Sequence, residues 1–268
     1  MIRIIALSVL TIFLSVNAYA DVEFVMESIQ AGNEQPGKID SKTKGNNFRM
    51  DFYENGQNLE GSMIYNGDRK EMMMLDHKQK VYTVLDQESM TAIGNQLQSA
   101  MKEMEAAMKD MSPEQREAME KMMKGNIPGM GEEYVEPVLK KSGSAKVNKY
   151  SCTNYDVYKG EEKTREICVA DWGQIEGGDE MQTVMTEMSE FLKQMSEAFS
   201  SMPGSQARFE ENIFNQLKKL GGFPVQTISF KNGEEVSKSA LVSSKKTDVS
   251  AALMEPPADY KRQNMDMR

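Results

Sequence analysis

Histidine is almost missing from this chain: His77 is the only one in 268 residues, beside 2 cysteines, 1 tryptophan and 8 prolines. One imidazole is little material for a zinc centre or a histidine-activated nucleophile. No G-x-S-x-G, P-loop, H-E-x-x-H or G-x-G-x-x-G pattern occurs, so the common devices for acyl transfer, phosphate binding, metal-assisted hydrolysis and dinucleotide binding are lacking. Asp76-His77 set beside Ser62 or Ser89 has the composition of a triad but no motif behind it. The acidic pairs Glu132-Glu133 and Glu161-Glu162 fall in predicted loops or turns and read as solvated charge. No catalytic residue, and no cofactor, is expected.

Basic residues are also short, 32 against 41 acidic ones, for a net charge of -9. Such a surface repels nucleic acid and anionic membrane, whose recognition depends on neutralising phosphates. Long apolar runs are absent except at the start, where Arg3, the run Ile4 to Val16 and the small-residue pattern Ala18-Tyr19-Ala20 read as a secretory signal peptide over residues 1–20. The run is shorter than the roughly twenty residues that a membrane-spanning helix needs. No cysteine stands at the processing site, so no lipoprotein anchor is expected. The reading is an exported, soluble chain starting at Asp21, periplasmic or secreted, with no integral membrane segment after cleavage.

What the chain has in excess is methionine, 24 residues. Within Gln87 to Lys124, Met101, Met104, Met108 and Met111 recur at helical spacing. Ser112-Pro113-Glu114-Gln115 then carries the signature of a new helix start, followed by Met119, Met122 and Met123. Asp179 to Met202 sets Met181, Val184, Met185, Met188, Phe191, Leu192, Met195, Phe199 and Met202 on one face, with a polar face opposite. Arg208 to Leu220 reads as one further helix.

Thioethers are unbranched and polarizable, which leaves three uses open. The stripes can pack on a sheet. They can form a pliable apolar surface, for which Met101, Met104, Met108, Met181, Met185, Met188 and Met195 are the candidate lining. Or they can hold a soft Cu(I) or Ag(I) ion, with Met101, Met104, Met108, Met111, Met119, Met122 and Met123 as the alternative set.

Around the helices the pattern changes to short alternating segments: Val22 to Ile29, Asn47 to Tyr53, Gly61 to Tyr65, Lys70 to Leu75, Val81 to Leu85, Tyr134 to Lys141, Val225 to Phe230 and Glu235 to Lys245. Asn55-Gly56, Asn66-Gly67 and Asn232-Gly233 are hairpin signals. Tyr150 to Ala170 reads as strand, turn, strand, with Cys152 and Cys168 symmetrical about Gly160 and facing across an antiparallel pair. In an oxidising compartment they should form a disulfide.

Leu253-Met254-Glu255-Pro256-Pro257-Ala258-Asp259-Tyr260-Lys261 resembles the ending of a family of secreted bacterial domains of unknown function. Phe48 to Asp51, Met63 to Gly67, Met74 to Asp76, Lys80 to Tyr82 and Cys152 to Trp172 resemble that family's strands and central hairpin. The family in turn resembles periplasmic lipoprotein carriers of the Lol type, with two departures: this chain opens on a strand, and its helical insertions are longer. A fainter resemblance joins Met111 to Arg116 to small helical stress chaperones.

The resemblance implies an α+β fold, a curved antiparallel sheet forming an incomplete barrel, in one domain over 21–268 with Met-rich helices inserted at about 87–124 and 179–220. The expectation is a non-enzymatic envelope protein binding a lipid or lipidated partner in the concavity. Soft-metal binding, or a structural or stress-related partner-binding role, is the alternative. Neither the ligand nor the oligomeric state follows from the sequence.

Overall fold

The computed structural model of the chain describes residues 21–264 apart from 33–34, 110, 113, 116–134, 136 and 201–219. Residues 1–20, expected to be a signal peptide, the methionines Met119, Met122 and Met123, and most of the helix expected from Arg208 lie outside the described residues.

The elements run β1 (Val22–Gln30), β2 (Gly37–Lys44), β3 (Asn47–Glu54), β4 (Asn58–Asn66), β5 (Glu71–Asp76), β6 (Val81–Leu85), α1 (Gln87–Lys109), β7 (Val138–Val147), β8 (Tyr150–Lys159) and β9 (Glu162–Asp171). A short 3-10 turn at Trp172–Gln174 leads into α2 (Gly178–Ser200), then β10 (Gly222–Lys231), β11 (Glu234–Lys246), a second 3-10 turn at Ala251–Met254 and β12 (Lys261–Arg262). Among the described residues the twelve strands share one sheet in the order β12-β6-β5-β4-β3-β2-β1-β11-β10-β9-β8-β7. Every pairing is antiparallel except β12 on β6. The fold is thus a sheet-dominated α+β, and β12 and β7 do not pair, so the sheet is open. Among the described residues no helix is long and apolar enough to cross a membrane.

Two of the three Asn-Gly turns behave as their chemistry dictates. Asn55 and Gly56 have φ of 52° and 68°, and Asn232 and Gly233 have 55° and 80°, the doubly positive geometry that matches strand twist. Asn66-Gly67 differs: the Asn66 side chain accepts the Arg69 N–H at 2.9 Å, and the positive φ falls instead on Lys70, in a wider loop.

β2 has no signal in the hydrophobic pattern, because Gly37–Lys44 has one large apolar residue, Ile39. Its inward positions are polar and still buried, and Thr43 Oγ1 accepts the Val22 N–H at 3.2 Å. The seventh strand is Val138–Val147, and Tyr134, where it was expected to start, lies outside the described residues.

A twelve-stranded twisted sheet tends to curl, and hydrogen bonds show where this one does. β8 and β11 are three places apart, about 14 Å if the sheet were flat. Yet the Asn148 side chain donates to the Leu241 carbonyl at 2.7 Å, and Tyr150 Oη lies 3.0 Å from Ser244 Oγ. Even the reach of a tyrosine and a serine together falls short of that gap, so the sheet bends around them. Bulges at Val25/Met26, Val157/Tyr158 and Pro224/Gln226 supply local twist along the bend.

The concave face carries the main core: Val22, Phe24, Phe48, Tyr65, Met72, Tyr150, Cys152, Cys168, Phe223, Val225 and Leu241, closed by Met181, Val184, Met188 and Phe191 from α2. Each such side chain stabilises by about 1.5–3 kcal/mol on leaving water. The opposite, convex face holds two smaller clusters, Ile64, Met73, Leu75 and Val84 under Tyr260, and Val157, Ile167 and Val169 under Leu220.

Cys152 and Cys168 are joined, with Cα atoms 5.4 Å apart. They are not directly opposite as expected from symmetry about Gly160. The turn pairs Lys159 with Glu162, one position off that symmetry, and the bulge at Val157/Tyr158 adds a second, so that Cys168 pairs with Asn154 and the disulfide runs diagonally.

Candidate functional site

α2 begins where the chain must turn sharply off the sheet. Gly177 has φ of 75°, and a Cβ there would lie 2.4 Å from Val22 Cγ1, so only glycine permits the approach to β1. Asp179 and Glu180 complement the helix N-terminus, and Glu180 is tied to Lys246 Nζ at 2.7 Å. Burial alone would raise the Glu180 carboxyl, but the Lys246 ammonium holds it below the usual carboxylate range. From there the helix crosses the concave face toward the β4–β5 loop, where Phe191 packs on Tyr65 with ring centroids 5.5 Å apart. Burial raises the Tyr65 phenol, and Glu187 adds to it.

Of the methionines expected to line a site, Met181 and Met188 are fully enclosed by the sheet core, and Met185 is half-buried at its edge. Met108 and Met111 are half-buried. Met101, Met104 and Met195 sit on the helices, with side chains outside the described residues. Between them, Asp86 and Ser89 cap α1 reciprocally, Ser89 N–H to Asp86 Oδ1 at 2.7 Å and Asp86 N–H to Ser89 Oγ at 2.8 Å. α1 lies against α2 and β6 and buries Met90 and Ile93. The expected helix start at Ser112 has its capping box, with Ser112 N–H to Gln115 Oε1 at 3.0 Å and Gln115 N–H to Ser112 Oγ at 3.3 Å.

Sequence reasoning missed the apolar floor on the strands. Register places Met50 opposite Met63 and Met63 opposite Met74, with Met26 opposite Ile39 and Ile39 opposite Phe52 in the neighbouring row. These six residues share the concave face with Phe48, Tyr65 and Met72, but they are not enclosed: Met26, Ile39, Met50 and Met63 are half-buried, Phe52 is 37% exposed and Met74 42%. The concave face is therefore sealed along the α2 track and partly open beside it. Twofold alternation in each strand held the signal, but only the register between strands aligns the residues.

The convex face is apolar behind β4–β6, where Ile64, Met73, Leu75 and Val84 cluster, and polar behind β1–β3. At its centre Lys42 bridges Asp40 at 2.6 Å and Glu23 at 3.3 Å, and Lys245 reaches Glu23 at 2.5 Å. Under the C-terminal segment lies a relay. Arg49 donates to Asp51 Oδ1 at 2.7 Å, to Ser62 Oγ at 3.0 Å and to the Leu253 carbonyl at 2.8 Å. Ser62 donates its own proton to Asp51, while Ser62 Oγ lies 2.7 Å from His77 Nε2 and His77 Nδ1 lies 2.6 Å from Tyr260 Oη.

Proton counting orients this relay. With the serine proton on Asp51, the proton between Ser62 and His77 belongs to Nε2, and Nδ1 accepts from the Tyr260 phenol. An imidazole already protonated toward the serine cannot take the serine's proton. Ser62 is also only 1% exposed. The partners are Asp51 and Tyr260, not the adjacent Asp76 of the sequence-level triad, while Ser89 is occupied capping α1. The arrangement clamps the C-terminal segment to β3–β5, assisted by Arg69 to Glu255 and Lys80 to Asp259, each at 2.8 Å. Burial lowers the His77 imidazole, and the Arg49 charge lowers it further.

An open cleft of about 630 Å³ lies at the other end of the sheet, lined by polar residues of β7 and β8 together with Cys152, Val169, Asp171 and Gln174. It includes none of the expected methionines.

No family model matches the chain, and no curated protein matches it. Among solved structures it is similar to an uncharacterized conserved protein from Thermus thermophilus, at 8% identity over 91% of this chain and 90% of that one, with a TM-score of 0.44. It is similar to the MucA/MucB complex structure of Pseudomonas aeruginosa at 6% identity over 91% of this chain and 58% of that one, TM-score 0.38. A LolA superfamily protein from Nitrosomonas europaea is similar at 8% identity over 88% of this chain and 89% of that one, TM-score 0.29. These are distant structural similarities.

Proposed function

We propose that the chain is an exported, non-enzymatic binding protein that takes an apolar group, a lipid or the lipid of a modified partner, on the concave face of its sheet beside the Met-bearing helices. One observation carries this reading: the open row of Met26, Ile39, Met50, Phe52, Met63 and Met74 continues the sealed apolar core across β1–β5, with the buried Ser41 and Thr43 of β2 the polar positions between. A monomer gains nothing by leaving such a surface in water. Thioethers on the floor, and Met185 packed against the same core, repack around acyl chains of different shape at low cost. The disulfide fits an oxidising compartment. The clamped orientation of Ser62 and His77 favours a binding role over hydrolysis.

The test is uptake of an apolar fluorophore by the purified protein, displaced by native lipid, with native mass spectrometry of protein taken from its own compartment. Saturable, displaceable uptake that falls in Phe52→Asp and Met74→Asp is the expected result, since both side chains are exposed and the substitutions spare the core. No saturable uptake, or uptake indifferent to both substitutions, overturns the proposal.

A further inference from the structure

We infer that Met50, Met63 and Met74 form a three-thioether site for a soft monovalent cation, Cu(I) or Ag(I), on the concave face of the sheet. The three lie on adjacent strands and are direct register partners, Met50 to Met63 across β3 and β4, and Met63 to Met74 across β4 and β5. Directly opposed residues have Cβ atoms about 4.5–5.5 Å apart. Side chains with three rotatable bonds can therefore bring three sulfurs around one ion without moving the backbone. Helical methionines one turn apart offer two or three sulfurs along a single axis; the ladder offers three from three independent strands, fixed by hydrogen bonding on both sides.

The chemistry of the set selects the ion. Neutral thioethers are soft donors that favour Cu(I) and its heavier congener, whereas zinc and cupric ions want imidazole, carboxylate or thiolate. The only imidazole, His77, is engaged on the convex face with Ser62 and Tyr260. The row ends in Ser41 on β2 and Thr83 on β6, which bring no charge. Exposure of Met74 leaves the site reachable, and the enclosed Met72 two residues away backs it with apolar surface. Net charge of -9 favours approach of a cation. The inference stands apart from lipid binding, although both use the same floor.

The experiment titrates Ag(I) into the full oxidised protein and follows the methionine ε-methyl resonances, assigned by single Met→Leu substitutions. Leucine nearly conserves volume, so the fold should hold, and the exposed Met74→Leu serves if a buried change destabilises. The expected result is saturation near one equivalent, with the methyls of Met50, Met63 and Met74 shifting together. Each Leu variant should weaken Ag(I) about tenfold or more, as loss of metal-site side chains commonly does. The inference fails if no saturable binding occurs, if only the helical methionines shift, or if Met74→Leu binds Ag(I) as the parent does. Loss of fluorophore uptake in Phe52→Asp with Ag(I) binding intact would separate the two sites.

Discussion

Ser62 Oγ and His77 Nε2 lie 2.7 Å apart, and the proton between them is held by the imidazole because Ser62 gives its own to Asp51. The pair therefore acts as a strut between β4 and the C-terminal segment, with Tyr260 at its far end. Its energetics depend on pH. The native His77 value is depressed, by burial first and the Arg49 charge next, with Asp51 and Asp76 opposing. A depressed native value means stability is fully present above the unfolded pKa of about 6.5 and is lost as pH falls through the native value. Urea unfolding should show the protein weakening as pH falls below about 6.5, and His77→Gln should flatten that decline. The lowered carboxyls of Asp86 and Glu180 act below this window, because their ordinary values are 3.8 and 4.5.

Arg49 is buried with Asp51 as its ion partner. The single change Arg49→Met strands the Asp51 charge and should cost about 3–5 kcal/mol, whereas combining Arg49→Met with Asp51→Asn should recover part of that loss. Thermal unfolding of the single and double variants decides it; equal losses would mean the pair is not what matters.

The Cys152–Cys168 bridge closes a loop of sequence separation 16. Its removal by paired alanine substitution should lower unfolding free energy by about 3 kcal/mol. Denaturant titration with and without reductant measures this, and the native protein should not react with a thiol reagent until reduced.

Two methionines of α2 should respond differently to truncation. Met188, 2% exposed within the main core, should lose about 2–5 kcal/mol on change to Ala. Met185, half-buried at the core edge, should lose clearly less in the same denaturant assay.

Gly177→Ala should destabilise in two ways that can be told apart. The positive φ alone costs roughly 1–2 kcal/mol, and the clash with Val22 adds to it. In a double-mutant cycle with Val22→Ala, the combined loss should be smaller than the sum, because shortening residue 22 removes the clash.

Much of the fold was legible because local chemistry dictated it. Asn55-Gly56 and Asn232-Gly233 tolerate positive φ, the stripe from Met181 to Leu192 has helical period, and alternation marked most strands. β2 escaped because its inward residues are Ser41 and Thr43, whose burial depends on neighbours across the sheet and not on their own hydrophobicity. The loop after Asn66 escaped because a side-chain bond to Arg69 displaced the positive φ to Lys70. Around His77, Tyr260 stands 183 positions away and Asp51 is reached only through Ser62, so no spacing rule joins them.

Composition and periodicity determined by themselves that the chain builds antiparallel strands and amphipathic methionine helices and has little material for metal or nucleophilic catalysis by histidine, since these follow from side-chain chemistry within a few residues. Tertiary structure alone decided which methionines are sealed and which stand open. That outcome depends on strand register and on the track α2 takes across the bent sheet, and both are set by contacts between residues far apart in the chain.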